Sequence, residues 1–246
     1  MDYLRSVLFV LSLMSSAVLS VQGQATELDE AHRIALEKQT EKISKSVNVA
    51  TLRSTVANSA LRKEATKEIA NAIHAAWQEE TQKSKPNRFK VIKRENGTFL
   101  TSKRQLNDYL RAKKIKKTDY PYYQMRHISG TGKKRRFAHE DILHLENSKL
   151  APNNKKENDD SAKVAILFLQ QWFSGKNPEH QALDLSFWQE GSAEIHRKWV
   201  ERNHSWCGEK LKAPFEQLPL EEANKDTQIL ILAVQTLSQP SVFTAK

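Results

Sequence analysis

Cysteine is nearly absent from this chain, with Cys207 the single one among 246 residues. One cysteine excludes an internal disulfide, a CxxC redox pair and a cysteine-rich zinc site. Seven glycines and seven prolines exclude collagen-like and low-complexity sequence. By contrast, 39% of the residues are hydrophobic and five are tryptophan, which is enough apolar surface for a buried core. The length allows one medium domain or two small ones.

The first residues have the layout of a secretory signal peptide. Arg5 precedes the apolar and serine-rich run Val7–Val21, and no charge interrupts this run. Gly23 and Ala25 then supply small residues at cleavage-site spacing. The run is shorter than the about 20 apolar residues of a membrane anchor. We therefore expect residues 1–25 to be removed, leaving a periplasmic or secreted chain without a membrane span. Export without disulfides favours a bacterial periplasm.

The remaining sequence predicts a mainly α-helical fold with small β-hairpins. Helical periodicity runs from Thr26 to about Gln82 with a break near Ser44–Asn48. Hairpins are expected around Asn96-Gly97 and around 129–132, and a polar linker over 149–158. Ser102 is expected to cap a helix over 103–113, and further helices are expected over 139–146, 160–173, 193–203 and 220–237.

Residues 83–136, here called the basic insert, concentrate the positive charge. They hold 18 lysines and arginines against three acids, whereas the whole chain carries +10. Aromatic residues are interleaved with these charges, a pattern typical of anion and single-strand binding, although such a run is also an ordinary solvated face. Export argues against nucleic acid and favours an anionic glycan, lipopolysaccharide or an acidic protein. The candidate anion-binding residues are Lys113, Lys114, Lys116, Lys117, Lys133, Lys134, Arg135 and Arg136.

No residue pattern predicts catalysis. His139 and His144 are five apart, whereas a zinc-protease helix needs histidines four apart. The lysine-flanked turn at 130–133 lacks the spacing of a phosphate loop. His196, His204 and Cys207 lie close in sequence, but no fourth metal ligand accompanies them. We therefore expect a protein that is not an enzyme and uses neither a metal nor another cofactor.

An internal repeat indicates two diverged modules. Ile73-His74-x-x-Trp77 recurs as Ile195-His196-x-x-Trp199, and each triplet shares one helix face. The polar stretch 158–161 leads into an apolar helix as the stretch 224–227 does. Trp77 and Trp199 are therefore expected at equivalent hydrophobic sites.

The carboxyl-terminal part resembles the RyR domain, the repeat first described in ryanodine receptors. The matching residues are His196, Trp199, Trp206, Pro214-Phe215, Leu218, Glu222 and Asp226. Ala223 stands where the family usually has lysine. The resemblance implies small, non-catalytic helical repeats that pair into a two-fold-like unit and serve interaction or ligand binding. It divides the chain into a helical segment (26–65), a degenerate module containing the basic insert (66–175) and a second module (176–240).

The leading hypothesis is an exported, non-enzymatic binding protein for an unknown small ligand or protein partner. Its candidate ligand-binding residues are His74, Trp77, His196, Trp199 and Trp206. The same residues suit a structural role, because buried aromatics stabilise a fold without any ligand. The alternative is a polyanion-binding protein that acts through the basic insert.

Overall fold

The computed structural model describes residues 30–127, 135–175 and 182–239. Over these ranges the chain is mainly helical with a small three-stranded antiparallel sheet, which confirms the predicted fold class. In the same ranges no helix is both long and apolar enough to cross a membrane. The expected signal peptide and the helix start expected at Thr26 lie outside the described residues.

The described chain opens with three consecutive helices: α1 (Glu30–Ser46), α2 (Val49–Ala57) and α3 (Ser59–Gln82). The break expected near Ser44–Asn48 is confirmed, and a second break occurs at Asn58, which the sequence pattern does not predict. Both breaks are capped by asparagine. The Asn48 side chain accepts the Thr51 N–H, and the Asn58 side chain accepts the Ala60 N–H. Asparagine is among the preferred residues at this position because it satisfies an otherwise unpaired amide.

The sheet has the strand order β1-β3-β2, formed by β1 (Phe89–Val91), β2 (Tyr123–His127) and β3 (Arg136–Asp141). The strands expected on either side of 129–132 are confirmed as the β2–β3 pair, while their turn lies outside the described residues. At Asn96-Gly97 the turn is present, with Gly97 at a φ of 78°. Its hairpin is reduced to one bridge between Lys93 and Phe99, because β1 pairs with β3 instead.

The prediction of a helix over 139–146 is wrong, because residues 139–141 belong to β3, the central strand of the sheet. Pairing on both sides buries this strand, and its carboxylates find backbone donors. Glu140 accepts the Ala151 N–H at 2.8 Å, and Asp141 accepts the Arg88 N–H at 2.9 Å. Paired in this way, two acidic side chains are tolerated in the interior.

Helix α4 (Lys103–Ala112) begins as predicted at Ser102, whose hydroxyl accepts the Gln105 N–H. The prediction of a polar linker over 149–158 is wrong. Helix α5 (Pro152–Ser174) already includes most of it, with proline at its first helical position, where proline is favoured. Asn153 anchors this start to the sheet by accepting the Lys93 N–H and donating to the Val91 carbonyl.

Two further helices follow within the described residues, α6 (Leu185–Asn203) and α7 (Leu220–Leu237). The bounds of α7 agree with those predicted, whereas α6 begins earlier than the expected residue 193. Asp184 caps α6 by accepting the Phe187 N–H. Helices α5, α6 and α7 pack on one another, and α5 and α7 also pack on α3.

The described residues form two hydrophobic cores. The main core is contributed by α1 to α3 and α5 to α7 and includes the adjoining aromatics Phe168, Trp172, Phe187 and Trp188. The second lies between the sheet and α4 and runs from Ile92 to Ala151, beyond the end of the basic insert. Residues of the segments 26–65, 66–175 and 176–240 share the main core. The division of the chain into those segments stays a prediction.

Candidate functional site

His74 lies on α3 with both ring nitrogens engaged by neutral groups. Its Nε2 is 2.9 Å from the Leu145 carbonyl, and its Nδ1 is 3.3 Å from the Asn158 side-chain nitrogen. An Nε2–H that donates to the carbonyl leaves Nδ1 to accept from the amide, which is the neutral form of the ring. Burial, opposed in part by backbone carbonyls, lowers the pKa of His74 below its usual value. This histidine is therefore uncharged near neutral pH.

His196 lies on α6 with a carboxylate in place of that amide. Its Nε2 is 3.0 Å from the Ala213 carbonyl, and its Nδ1 is 3.0 Å from Asp226 Oδ2 on α7. Burial by itself lowers the pKa of His196, but the hydrogen bond and charge of Asp226 outweigh it and raise that pKa. Two acceptors, one of them anionic, suit an imidazolium that donates from both nitrogens.

Each histidine stacks on the tryptophan three residues later. The ring centroids of His74 and Trp77 are 5.6 Å apart at 22°, and those of His196 and Trp199 are 6.3 Å apart at 21°. The histidines are buried, whereas both tryptophans are half-buried. The two tryptophans share this stacking, but Trp77 packs against the second core and Trp199 is not among the described residues that pack on either core, so the expectation of equivalent hydrophobic sites is not confirmed.

Trp206 is the most exposed of the candidate ligand-binding residues, with 67% of its surface accessible. It follows α6, its ring meets Trp199 edge-on at 5.8 Å, and its Nε1–H donates to Asn203. This residue contributes little to either core, because an exposed indole keeps most of its contact with water.

Two adjoining cavities lie between α3, α5, α6 and α7, and together they are called the helix cleft here. One, of about 560 Å³, is lined by Trp77, and the other, of about 220 Å³, is lined by His196 and Trp199. The first volume falls in the range of small-molecule sites, roughly 300–1,000 Å³. Both cavities share the lining residues Ile73, Asn158, Lys225 and Ile229.

The lining of the helix cleft is acidic although the whole chain is basic. Two lysines line it, Lys83 and Lys225, and Lys225 is ion-paired with Glu222 at 2.8 Å and with Glu221 at 3.6 Å. The carboxylates that line it are Glu79, Glu80, Glu157, Glu221, Glu222 and Asp226. Sequence reasoning missed this cluster because its members come from three helices that are distant along the chain.

The anion-binding candidates are only partly brought together. Lys113, Lys114 and Lys116 line a separate cavity of about 200 Å³, and Lys117 does not. Arg135 and Arg136 are exposed at the start of β3, where Arg136 donates to His127. Lys133 and Lys134 lie outside the described residues.

Among the described residues no group of three histidine, cysteine, aspartate or glutamate side chains could hold a metal ion. His196 is engaged by Asp226 and Ala213, and Cys207 is a buried free thiol. Comparison of the chain with protein-family models, with curated proteins and with solved structures finds no match.

Proposed function

We propose that this chain is an exported, non-enzymatic binding protein whose two RyR-like modules hold a small cationic ligand in the helix cleft. The observation that carries the proposal is the lining of the helix cleft, where six carboxylates face two lysines and His196 in a chain of net charge +10. Carboxylates that converge on one cavity attract a cation and repel an anion. The half-buried Trp77 supplies apolar contact for the uncharged part of such a ligand.

Four of the lining carboxylates already have a partner within the protein, and one of them is Glu157, which pairs with Arg202 at 3.3 Å. Lys225 pairs with Glu221 and Glu222, and Asp226 pairs with His196. Glu79 and Glu80 form no ion pair within 4 Å in the part of the chain that the structure describes. These two adjacent carboxylates on α3 are therefore the ones assigned to the ligand's positive charge.

The test compares a cation with a neutral molecule of the same shape. Choline is titrated by calorimetry beside dimethylbutanol, its uncharged carbon isostere. Choline is expected to bind and to raise the melting temperature, since a ligand that binds only the folded state stabilises it. The double variant Glu79→Gln, Glu80→Gln should bind choline more weakly. Glu190→Gln, an exposed change on α6 away from the lining, is the control. Equal binding of the isostere would contradict the proposal.

Export is the second part of the proposal and rests on the Arg5, Val7–Val21 and Gly23/Ala25 pattern. The mature protein from its natural host should begin near Gln24 or Thr26. Amino-terminal sequencing of the exported fraction checks this, and an intact Met1 there would show that no cleavage occurs.

A second candidate function is polyanion binding through the basic insert. The exposure of Lys113, Lys114, Lys116 and Lys117 favours it, because charges at the surface are accessible to a partner. Changing Lys133, Lys134, Arg135 and Arg136 together to Glu should then abolish retention on heparin. Salt separates the two candidates, since polyanion binding weakens steeply with ionic strength.

A further inference from the structure

Outside the helix cleft, five lysines line one small cavity where the end of α4 approaches the start of α5. Lys113, Lys114 and Lys116 follow α4, whereas Lys149 and Lys155 come from beyond the basic insert. The cavity measures about 200 Å³ and is also lined by Ser148, Asp119 and Pro152. We call it the lysine pocket. Sequence reasoning found only its first three lysines, because the other two are brought there by the fold.

Local acids compensate only part of this charge. Lys149 lies 3.3 Å from Asp119 and 3.6 Å from Glu146, and Lys113 lies 3.8 Å from Glu95. Lys114, Lys116 and Lys155 form no ion pair with any residue in 30–127, 135–175 or 182–239. Three uncompensated ammonium groups around one cavity repel one another, and an anion placed between them relieves that repulsion.

Lys114 has a backbone conformation that lysine rarely adopts. Its φ is 54°, the left-handed region. The Lys114 N–H donates to the Arg111 carbonyl and the Ile115 N–H to the Leu110 carbonyl, so Lys114 occupies the helix-ending position where glycine is usual. A side chain retained at such a position despite its conformational cost points to a use for that side chain.

We propose that the lysine pocket binds a single phosphate or sulfate group, either free or carried as an ester. A volume of about 200 Å³ is below the range of drug-sized ligand sites, roughly 300–1,000 Å³, which suits one tetrahedral anion. The lining lysines come from two separate segments of the chain and supply the positive charge that such an anion requires. This site is separate from the helix cleft and does not depend on the proposed cationic ligand.

The test exploits the opposite effects that one substitution has on folding and on binding. Lys114→Gly removes a lining ammonium and also places glycine where the backbone prefers it, so the melting temperature should stay the same or rise. Calorimetric titration of inorganic phosphate and of sulfate, at low and fixed ionic strength, should show binding that this variant weakens about five-fold, the equivalent of about 1 kcal/mol for one charge pair in water. Lys155→Gln should weaken binding similarly.

Lys117→Gln is the matched control, because Lys117 is exposed and belongs to the same basic run but does not line the pocket. Glycerol phosphate distinguishes the sources of the anion: tighter binding than inorganic phosphate assigns the site to an ester, and weaker binding assigns it to the free ion. The proposal is overturned if phosphate and sulfate give the same heats as chloride. It is also overturned if Lys117→Gln weakens binding as much as Lys114→Gly does.

Discussion

The imidazole of His196 is held through Nδ1 by the carboxylate of Asp226, 3.0 Å away. At the related histidine, His74, the group beside Nδ1 is the neutral amide of Asn158. The other ring nitrogen of each histidine meets a backbone carbonyl, and each ring stacks on a tryptophan. Burial by itself lowers the pKa of both histidines, but at His196 the Asp226 carboxylate outweighs burial, so the two pKa values shift in opposite directions.

The first prediction exchanges these partners. Asp226→Asn should lower the pKa of His196, and Asn158→Asp should raise that of His74, because a carboxylate within hydrogen-bond distance favours the imidazolium. Nitrogen-15 NMR titration of the two imidazole rings measures both values. In the wild type the pKa of His196 should be the higher of the two.

The His196–Asp226 pair also predicts how the stability of the fold changes with pH. A histidine whose pKa is raised on folding stabilises the fold below its unfolded pKa of about 6.5, and this contribution fades as the pH rises through the folded pKa. Asp226→Asn should therefore destabilise more at mildly acidic than at alkaline pH. A loss of stability that is equal at both would show that Asp226 acts only through packing.

The sequence makes the repeated histidines and tryptophans visible, but not the partners of the histidines. The polar echo aligns Asn158 with Asn224, whereas the structure places Asp226 in the corresponding contact. Asn224 and Asp226 are two residues apart on one helix, and side chains at that spacing lie on different faces of the helix. The spatial equivalence is therefore set by how α5 and α7 pack, which local periodicity cannot reveal.

The second prediction concerns Glu140, a fully buried carboxylate on β3. Burial raises its pKa from 4.5 to about 7, although hydrogen bonds from Asn154 and the Ala151 N–H oppose the change. A raised carboxylate pKa means that stability is greatest below the unfolded pKa and is lost as pH rises through about 7, by up to about 3 kcal/mol.

Urea unfolding at about pH 5 and about pH 8 measures this loss, and Glu140→Gln should abolish it, since the amide does not ionise. At the higher pH the variant is expected to approach or exceed the wild type. Parallel stability curves for the two proteins would mean that the hydrogen bonds keep Glu140 ionised throughout.

Strand β3 shows why short elements in the sheet are difficult to predict from sequence. This strand ends in three consecutive polar residues, His139, Glu140 and Asp141. A short polar run of this kind suits an exposed helix as well as a strand. They become a buried strand because β1 and β2, distant in sequence, pair on either side and because Ala151 and Arg88 satisfy the carboxylates. Where the signal is local, prediction succeeds: the Ser102 cap and the bounds of α7 are both visible in sequence.

The third prediction tests the packing of α6. A Cβ on Gly191 would lie 2.5 Å from Leu230 Cδ2 and 2.6 Å from Phe168 Cε1. Gly191→Ala should therefore destabilise by about 1–3 kcal/mol, as overpacking of a core does, despite the better helix propensity of alanine. Gly208→Ala is the control, because nothing lies within 4 Å of its added Cβ. Thermal unfolding compares them, and equal melting temperatures would show that α6 and α7 can separate without cost.

The last prediction separates core tryptophans from site tryptophans. Trp188 is 1% exposed, and its Nε1–H donates to Ser44 and to the Leu183 carbonyl. Trp188→Ala should destabilise by about 3–5 kcal/mol, because it leaves a cavity and unpaired polar groups. Trp206→Ala removes a ring that is mostly in water, and the free energy of unfolding should change by about 0.5 kcal/mol or less.

Denaturant unfolding of both variants, beside choline titration of Trp206→Ala, completes the comparison. Trp206 lines neither cavity of the helix cleft but meets Trp199, which does. If Trp206 serves binding by holding Trp199 in place, its loss weakens choline binding while stability is retained. A side chain exposed to solvent contributes little stability through burial. Large destabilisation by Trp206→Ala would therefore contradict a binding role and assign this tryptophan to the fold.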